Sequence, residues 1–179
     1  GSAYSPTVDI QGNVYIITEG RTINKYNPDG VLVTTLTIPS TSTSSVVRSL
    51  AVDAFGNIYA ISAVAGAGSG GQLIRWEPDD ELEYIVKYNI ALLGSPTFFK
   101  LRFNVLWLVT ELPYGGPSQS RLEAWGFLDS PTPLRLWSRY LPHPAYGLDL
   151  GSSGHIFVAS GANPDRIPDV GEGGLDPGV

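Results

Sequence analysis

An all-β array of four-stranded antiparallel units is the fold class this sequence predicts, and three observations carry it. A short phrase returns at a nearly fixed interval. Each interval holds four short segments rich in Val, Ile, Tyr, Thr and Trp, separated by turn residues, which reads as strands. No window sustains the three-to-four-residue apolar spacing of an amphipathic helix. Val8-Asp9-Ile10-Gln11-Gly12-Asn13-Val14-Tyr15 returns as Val52-Asp53-Ala54-Phe55-Gly56-Asn57-Ile58-Tyr59. It returns again as Leu148-Asp149-Leu150-Gly151-Ser152-Ser153-Gly154-His155-Ile156-Phe157, read with a longer turn. Between them, Leu101-Arg102-Phe103-Asn104-Val105-Leu106-Trp107 keeps the apolar skeleton without the Asp and Gly. The closing aromatics Tyr15, Tyr59, Trp107 and Phe157 are spaced by 44, 48 and 50 residues. Periods of roughly 40–50 residues suit paired helices or four-stranded propeller blades. The strand chemistry selects a β-propeller-type array, with about three and a half blades in this chain.

The elements follow in order. Within the phrase, an Asp at the start and a Gly three residues on make a type I turn. The Asp accepts bonds from nearby backbone N–H groups, and the Gly tolerates a left-handed conformation. Asp9, Gly12, Asn13, Asp53, Gly56, Asn57, Asp149 and Gly154 are therefore predicted to be turn formers. A second phrase keeps step with the first: Lys25-Tyr26-Asn27-Pro28-Asp29-Gly30, then Arg75-Trp76-Glu77-Pro78-Asp79-Asp80, then loosely Ala124-Trp125-Gly126-Phe127-Leu128-Asp129. It marks the turn between the third and fourth strands. In the second copy the strands are placed near 46–52, 57–63, 72–77 and 82–88. A blade cannot bury both faces alone, so its neighbours stack on it. The predicted inter-blade core is Val14, Ile16, Ile58, Ala60, Val105, Val109, Ile156 and Val158. Blades are expected at about 4–40, 46–90, 96–141 and, incomplete, 145–160. The segment 161–179 holds three prolines and five glycines, which exclude a central strand there.

The phrase followed by a strand, a loop and an aromatic-Asx-Pro-Asp-Gly turn resembles bacterial β-propeller repeats of the NHL and SBBP-like group. Leu136-Trp137-Ser138-Arg139-Tyr140-Leu141 leading into Tyr146-Gly147-Leu148-Asp149 is similar to the SBBP type. The resemblance covers residues 4–160 and implies a propeller, a scaffold that hosts many unrelated roles. Some NHL-type propellers are lyases or lactone hydrolases that use a metal and His or acidic residues in the central channel. No matching residue carries that feature here, so no catalytic role is transferred.

Composition narrows the function classes. The chain is 42% hydrophobic and 16% charged, which is globular and poor in charge. A net charge of −6 and a pI near 4.7 argue against nucleic acid, whose binding depends on neutralising phosphates. Seven of the eleven basic residues fall between Arg75 and Arg139, interleaved with acids, which reads as a solvated surface. No apolar run approaches the length of a membrane span, so no membrane insertion is expected. Without Cys there are no disulfides and no thiolate-bound metal. Abundant Ser, Thr, Gly and aromatics with few Lys suggest a secreted, cell-surface or virus-particle protein. The chain has no Met and reads as a processed or excised piece.

Candidate functional residues sit on variable loops. The second-to-third-strand loops at 18–21, 64–71 and 111–120 grow along the chain, and the inter-blade links at 39–45 and 141–145 are irregular. Binding groups concentrate where loops vary. Tyr114 between Pro113 and Gly115, His143 between two prolines, and Tyr146 are the candidate ligand-binding side chains for a protein or glycan. The plainer reading of Tyr114 and His143 is packing within their own loops. Asp165, Asp169, Glu172 and Asp176 supply hard oxygen donors compatible with Ca²⁺, but they lack EF-hand spacing and read as a solvated tail. No metal or other cofactor is expected. With two His, no Cys and no nucleophile elbow around Ser69 or Ser153, an enzyme is not expected. The stretch 66–71 lacks the Lys of a phosphate loop and reads as a flexible loop.

Three functional readings stay open. The chain is a non-catalytic interaction or structural module; or a fragment of a propeller hydrolase or lyase whose catalytic blades lie elsewhere; or an architectural subunit completed by strand pairing with neighbouring chains. The incomplete fourth blade is explained by further blades downstream, by other chains, or by a compact four-bladed disc.

Overall fold

The computed structural model describes residues 6–39, 45–64, 70–78, 84–102, 104–112 and 119–161, and among them the regular structure is strand throughout. Three four-stranded antiparallel sheets follow one another along the chain. The first holds β1 (Thr7–Val8), β2 (Val14–Thr18), β3 (Thr22–Tyr26) and β4 (Leu32–Thr37). The second holds β5 (Ser45–Val52), β6 (Ile58–Val64), β7 (Gly71–Pro78) and β8 (Tyr84–Leu92). The third holds β9 (Ser95–Arg102), β10 (Val105–Leu112), β11 (Gln119–Gly126) and β12 (Leu134–Tyr140). A fourth sheet pairs only β13 (Ala145–Leu150) with β14 (Ile156–Ser160). Strand order within each sheet is chain order, and no sheet closes on itself.

The repeated phrase folds as one hydrogen-bonded unit. Asp9 Oδ1 accepts the backbone N–H groups of Gln11 (3.0 Å) and Asn13 (2.9 Å). Its Oδ2 accepts Asn13 Nδ2 (2.8 Å) and the hydroxyl of Tyr15 (2.9 Å). Gly12, at φ 84°, donates its N–H to the Asp9 carbonyl. Asp53 repeats all four bonds with Phe55, Asn57 and Tyr59. Hydrogen bonds to an ionised acceptor are the stronger kind. Burial opposes ionisation of Asp9, but the bonds from Asn13, Tyr15 and Gln11 outweigh it and hold the carboxyl below its ordinary value.

The fourth copy departs from the expected turn. There Gly151, not Asp149, opens the turn: its N–H donates to the His155 carbonyl, and Gly154, at φ 90°, donates to Gly151. Asp149 lies inside β13, opposite Phe157 and 3.5 Å from Lys100 Nζ. Strand register is the reason, because Asp149–Phe157 matches Ala51–Tyr59 and Thr7–Tyr15. The Asp, Asn and Tyr of the earlier units are therefore Gly151, His155 and Phe157. The carboxylate and the hydroxyl that it accepted are lost together.

Register also corrects the expected core. In the third sheet Arg102 pairs directly with Val105, and Asn104 adopts φ 58°. This shorter hairpin shifts the apolar set by one residue. Leu106 and Leu108, opposite Trp125 and Glu123, take the positions of Ile58 and Ala60, opposite Trp76 and Ile74. Val105 is only half-buried, and Val109 is buried on the opposite face. Val14, Ile16, Ile156 and Val158 are half-buried as well.

Three apolar clusters lie between consecutive sheets. Tyr15 and Ile17 of the first sheet pack with Ile58, Ala60 and Trp76 of the second. Tyr59 and Ile61 of the second pack with Leu106 and Leu108 of the third. Val109 and Leu122 of the third pack with Ala145, Leu148, Ile156 and Val158 of the fourth. One rule covers all three: the face carrying the phrase's aromatic residue covers the aliphatic face of the next sheet. Each large side chain buried this way contributes about 1.5–3 kcal/mol.

Two β-bulges recur at matched registers. Arg48, Thr97 and Tyr146 each interrupt the first strand of the second, third and fourth sheets. Val33, Lys87 and Leu136 each interrupt the last strand of the first three. A bulge inserts one unpaired residue and bends its strand. The fourth strand of the second sheet runs to Leu92, beyond the expected end near 88, because Leu92 still pairs with Gly71. Gly71, expected in a flexible loop, is a buried strand residue whose backbone lies against the Pro96 ring and the Ser62 carbonyl. Residues 66–69 lie outside the described residues.

Candidate functional site

The buried ionisable side chains are held within the scaffold. Lys25 and Arg75 occupy one register, opposite Tyr15 and Tyr59. Lys25 Nζ donates to the Tyr84 hydroxyl (3.1 Å) and lies over the Tyr15 and Tyr84 rings. Arg75 is 3% exposed. Its Nη1 donates to the Leu128 carbonyl (2.7 Å), and its Nη2 meets Asp129 (3.2 Å) and Glu77 (2.5 Å). The guanidinium lies 5.7 Å from the Tyr59 ring centroid. Glu123, 1% exposed, accepts from Thr110 (3.0 Å), Arg121 Nε (2.7 Å) and Trp125 Nε1 (3.0 Å). Burial pushes the phenols of Tyr15, Tyr59 and Tyr88 above their ordinary value, with Arg75 opposing the shift at Tyr59 and Tyr88. Arg121 and Glu123 therefore pair within β11, and Arg75 reaches Leu128 and Asp129 at the third sheet's turn, so each buried charge has a partner that makes its burial tolerable.

One open cleft of about 360 Å³ lies where the second and third sheets meet at their turns, lined by Asp53, Phe55, Leu101, Arg102, Asn104 and Asp129. Its polar groups already have partners. Asp53 holds the turn, and Asp129 accepts from Arg75 and from Asn104 Nδ2 (2.8 Å). Arg102 donates to the carbonyls of Gly151 and Ser152 in the fourth sheet's turn. A ligand pocket is recognised by polar groups that converge on a void, and here they converge on the protein. Ser153 and His155 touch at 2.5 Å, yet both are exposed and no carboxylate orients the imidazole among the described residues. Nor does any group of three His, Asp or Glu gather as metal ligands among them.

The expected loop-face residues separate. Tyr114 lies outside the described residues, as do Asp165, Asp169, Glu172 and Asp176. His143 is exposed in the link between β12 and β13. That link is fixed by Leu141 N–H on the Ser120 carbonyl and by Ala145 N–H on the Ser120 hydroxyl. Tyr146 is the bulge residue of β13 and is exposed, so its position is a strand feature rather than a loop feature.

The surface that stands out is apolar, and the register explains it. Tyr15 and Tyr59 are 0% exposed, whereas Phe157 at the same position is 60% exposed. Tyr88, opposite Arg75, is 6% exposed, whereas Trp137, opposite Ala124 at the matching place, is 44% exposed. Trp137 meets Trp107 edge to face, and no outer strand of a fourth sheet covers it among the described residues. Identical positions are buried where a following sheet covers them and bare where it does not. The sequence carried this signal in the half copy of the repeat, but the particular residues needed the register. Exposed Leu134, opposite Gly126 on the same face as Trp137, extends the apolar surface.

The chain matches no protein-family model and no curated protein. Among the described residues no helix is long and apolar enough to cross a membrane.

Proposed function

We propose that this chain is a non-catalytic interaction module, a run of β-propeller-type blades of the NHL and SBBP-like kind that acts by holding a partner protein. One observation carries the reading. Phe157 and Trp137 stand bare at positions whose counterparts Tyr59 and Tyr88 are buried by a neighbouring sheet. Bare aromatic side chains on a rigid sheet make good contact anchors, because little conformational entropy is lost on docking. Arg75, Arg121 and Glu123 are paired within the protein, and this reading assigns them a structural role. The two-stranded fourth sheet fits the architectural reading, in which neighbouring chains complete the array, and equally the hydrolase or lyase reading, in which further blades do.

The test presents immobilised proteins and glycans, together with a panel of ester, lactone and glycoside substrates, to the purified chain. The expected result is protein binding that weakens at least tenfold in Trp137→Ser and in Phe157→Ser, with no turnover. Binding that ignores both substitutions, or turnover of any substrate, overturns the reading.

A further inference from the structure

We infer that the bare face of the fourth sheet and the outer face of the first sheet are two halves of one interface, and that their partner is a second copy of this chain, seated head to tail. The inference rests on the module reading above and names its partner. The chain already makes one kind of interface three times, always aromatic-bearing face onto aliphatic face. One aliphatic face and one aromatic-bearing face are left over.

The leftover aliphatic face is the outer side of the first sheet. Val8, Val14, Ile16, Tyr26 and Leu32 stand where the second sheet has Val52, Ile58, Ala60, Trp76 and Val86. Ile58, Ala60 and Trp76 are buried under Tyr15 and Ile17. Their counterparts Val14, Ile16 and Tyr26 are half-exposed, and Val8 and Leu32 are exposed. The polar groups of this face satisfy one another: Asn24 Nδ2 donates to the Tyr26 hydroxyl (3.3 Å), and the Thr35 hydroxyl donates to Asn24 Oδ1 (2.9 Å). Covering the face therefore leaves those groups paired.

The leftover aromatic-bearing face is the far side of the fourth sheet. Phe157 and Ala159 stand where Tyr59 and Ile61 cover the third sheet. Phe157 brings no hydroxyl, and Gly151 beneath its ring brings no carboxylate. A docking sheet thus meets the Phe157 ring and Ala159, with one polar group beside them, the Asp149 carboxylate opposite Phe157, which Lys100 Nζ approaches at 3.5 Å. The Tyr-to-Phe and Asp-to-Gly changes together suit a contact made between chains rather than a built-in turn clip.

The two faces differ, so the contact is heterologous. Head-to-tail pairing either closes into a ring or extends as a filament, depending on the rotation between copies. Two copies bring about seven blades, inside the usual range of four to eight for a closed propeller.

Sedimentation velocity from micromolar to millimolar protein tests this. The wild-type chain is expected to move from its 19.2 kDa monomer to a dimer or larger assembly as concentration rises. Ile16→Asp and Phe157→Asp, each confirmed folded by circular dichroism, are expected to stay monomeric. Leu32→Glu replaces Ile16→Asp if that variant unfolds. Mixing a first-sheet variant with Phe157→Asp leaves one intact pair of faces and is expected to restore a dimer but nothing larger. A wild-type monomer at every concentration, or a mixture that stays monomeric, overturns the inference. A monomer that still binds a different protein through Phe157 overturns it while leaving the module reading intact.

Discussion

The hydroxyl of Tyr15 sits 2.9 Å from Oδ2 of Asp9, and the pair disappears as a pair in the fourth sheet, where Gly151 and Phe157 take the two places. The repeated phrase is thus a clip: a carboxylate draws in two backbone N–H groups, an amide and a phenol. Tyr15→Phe removes one charge-assisted bond and is expected to cost about 1–3 kcal/mol by urea denaturation. Asp9→Ala removes four and is expected to cost more. A double-mutant cycle between the two should give a coupling of about 1 kcal/mol or more, the range seen for residues in direct contact. Simple additivity would mean that the phenol packs beside the carboxylate without bonding to it.

Arg75 is the most committed charge between the second and third sheets, with partners on Leu128, Asp129 and Glu77. Removing one partner of a buried ionic group costs about 3–5 kcal/mol, because the other charge is left uncompensated. Asp129 keeps most of its side chain in water, which lowers that figure for its own removal. Thermal denaturation of Asp129→Ala should therefore show a smaller loss than that of Arg75→Ala. An equal or larger loss would show that the pair, rather than the Leu128 carbonyl, dominates the site.

The pH dependence follows from the two kinds of group. Asp9 has a carboxyl held below its ordinary value of 3.8. Its contribution is present above that value and is lost as pH falls through the lower folded value. Asp9→Asn should therefore flatten the acid limb of the stability profile. Tyr15, Tyr59 and Tyr88 are raised above 10.0, so their contribution is present below pH 10 and is lost as pH rises beyond it. Urea midpoints measured across both limbs check the signs. An alkaline limb unchanged in Tyr88→Phe would remove Tyr88 from the account.

The turn chemistry was legible because it is local. Asp9-to-Asn13 and Asp53-to-Asn57 close their bonds within five residues, and the Asn27–Gly30 turn closes through Gly30 N–H on the Asn27 carbonyl. The one-residue slip at Val105 and the two-residue slip at Asp149 arose because turn length is not fixed by the apolar pattern, whereas register is. The recurring bulges at Arg48, Thr97 and Tyr146 carry no common residue type, so no local sequence signal marks them. Arg75 and Glu123 read as surface charges in the sequence. Only packing against the neighbouring sheet reveals them as buried partners.

Gly71 gives a packing prediction. A Cβ there would collide with the Pro96 ring and the Ser62 carbonyl, where the second sheet meets the third. Overpacking of this kind costs about 1–3 kcal/mol. Gly71→Ala should lower the urea midpoint accordingly, whereas Gly30→Ala, with open space around it, is limited to the strain of its φ of 78°. A neutral Gly71→Ala would mean that the two sheets lie farther apart there.

Phe157 and Tyr59 share a register but not an environment. Tyr59→Ser should cost about 3–5 kcal/mol, as large-to-small core changes do. Phe157→Ser in dilute protein should cost less than about 1 kcal/mol, the usual scale for surface changes.

The central claim is that one inter-sheet interface, repeated within the chain, is left in two open halves. Hydroxyl-radical footprinting read by mass spectrometry, in dilute and in concentrated protein, tests it most directly. Tyr15 and Tyr59 should be protected at both concentrations, while Phe157 should be oxidised in dilute protein and protected when concentrated. Phe157 protected in the dilute monomer would contradict the claim, because the chain would then be covering its own face.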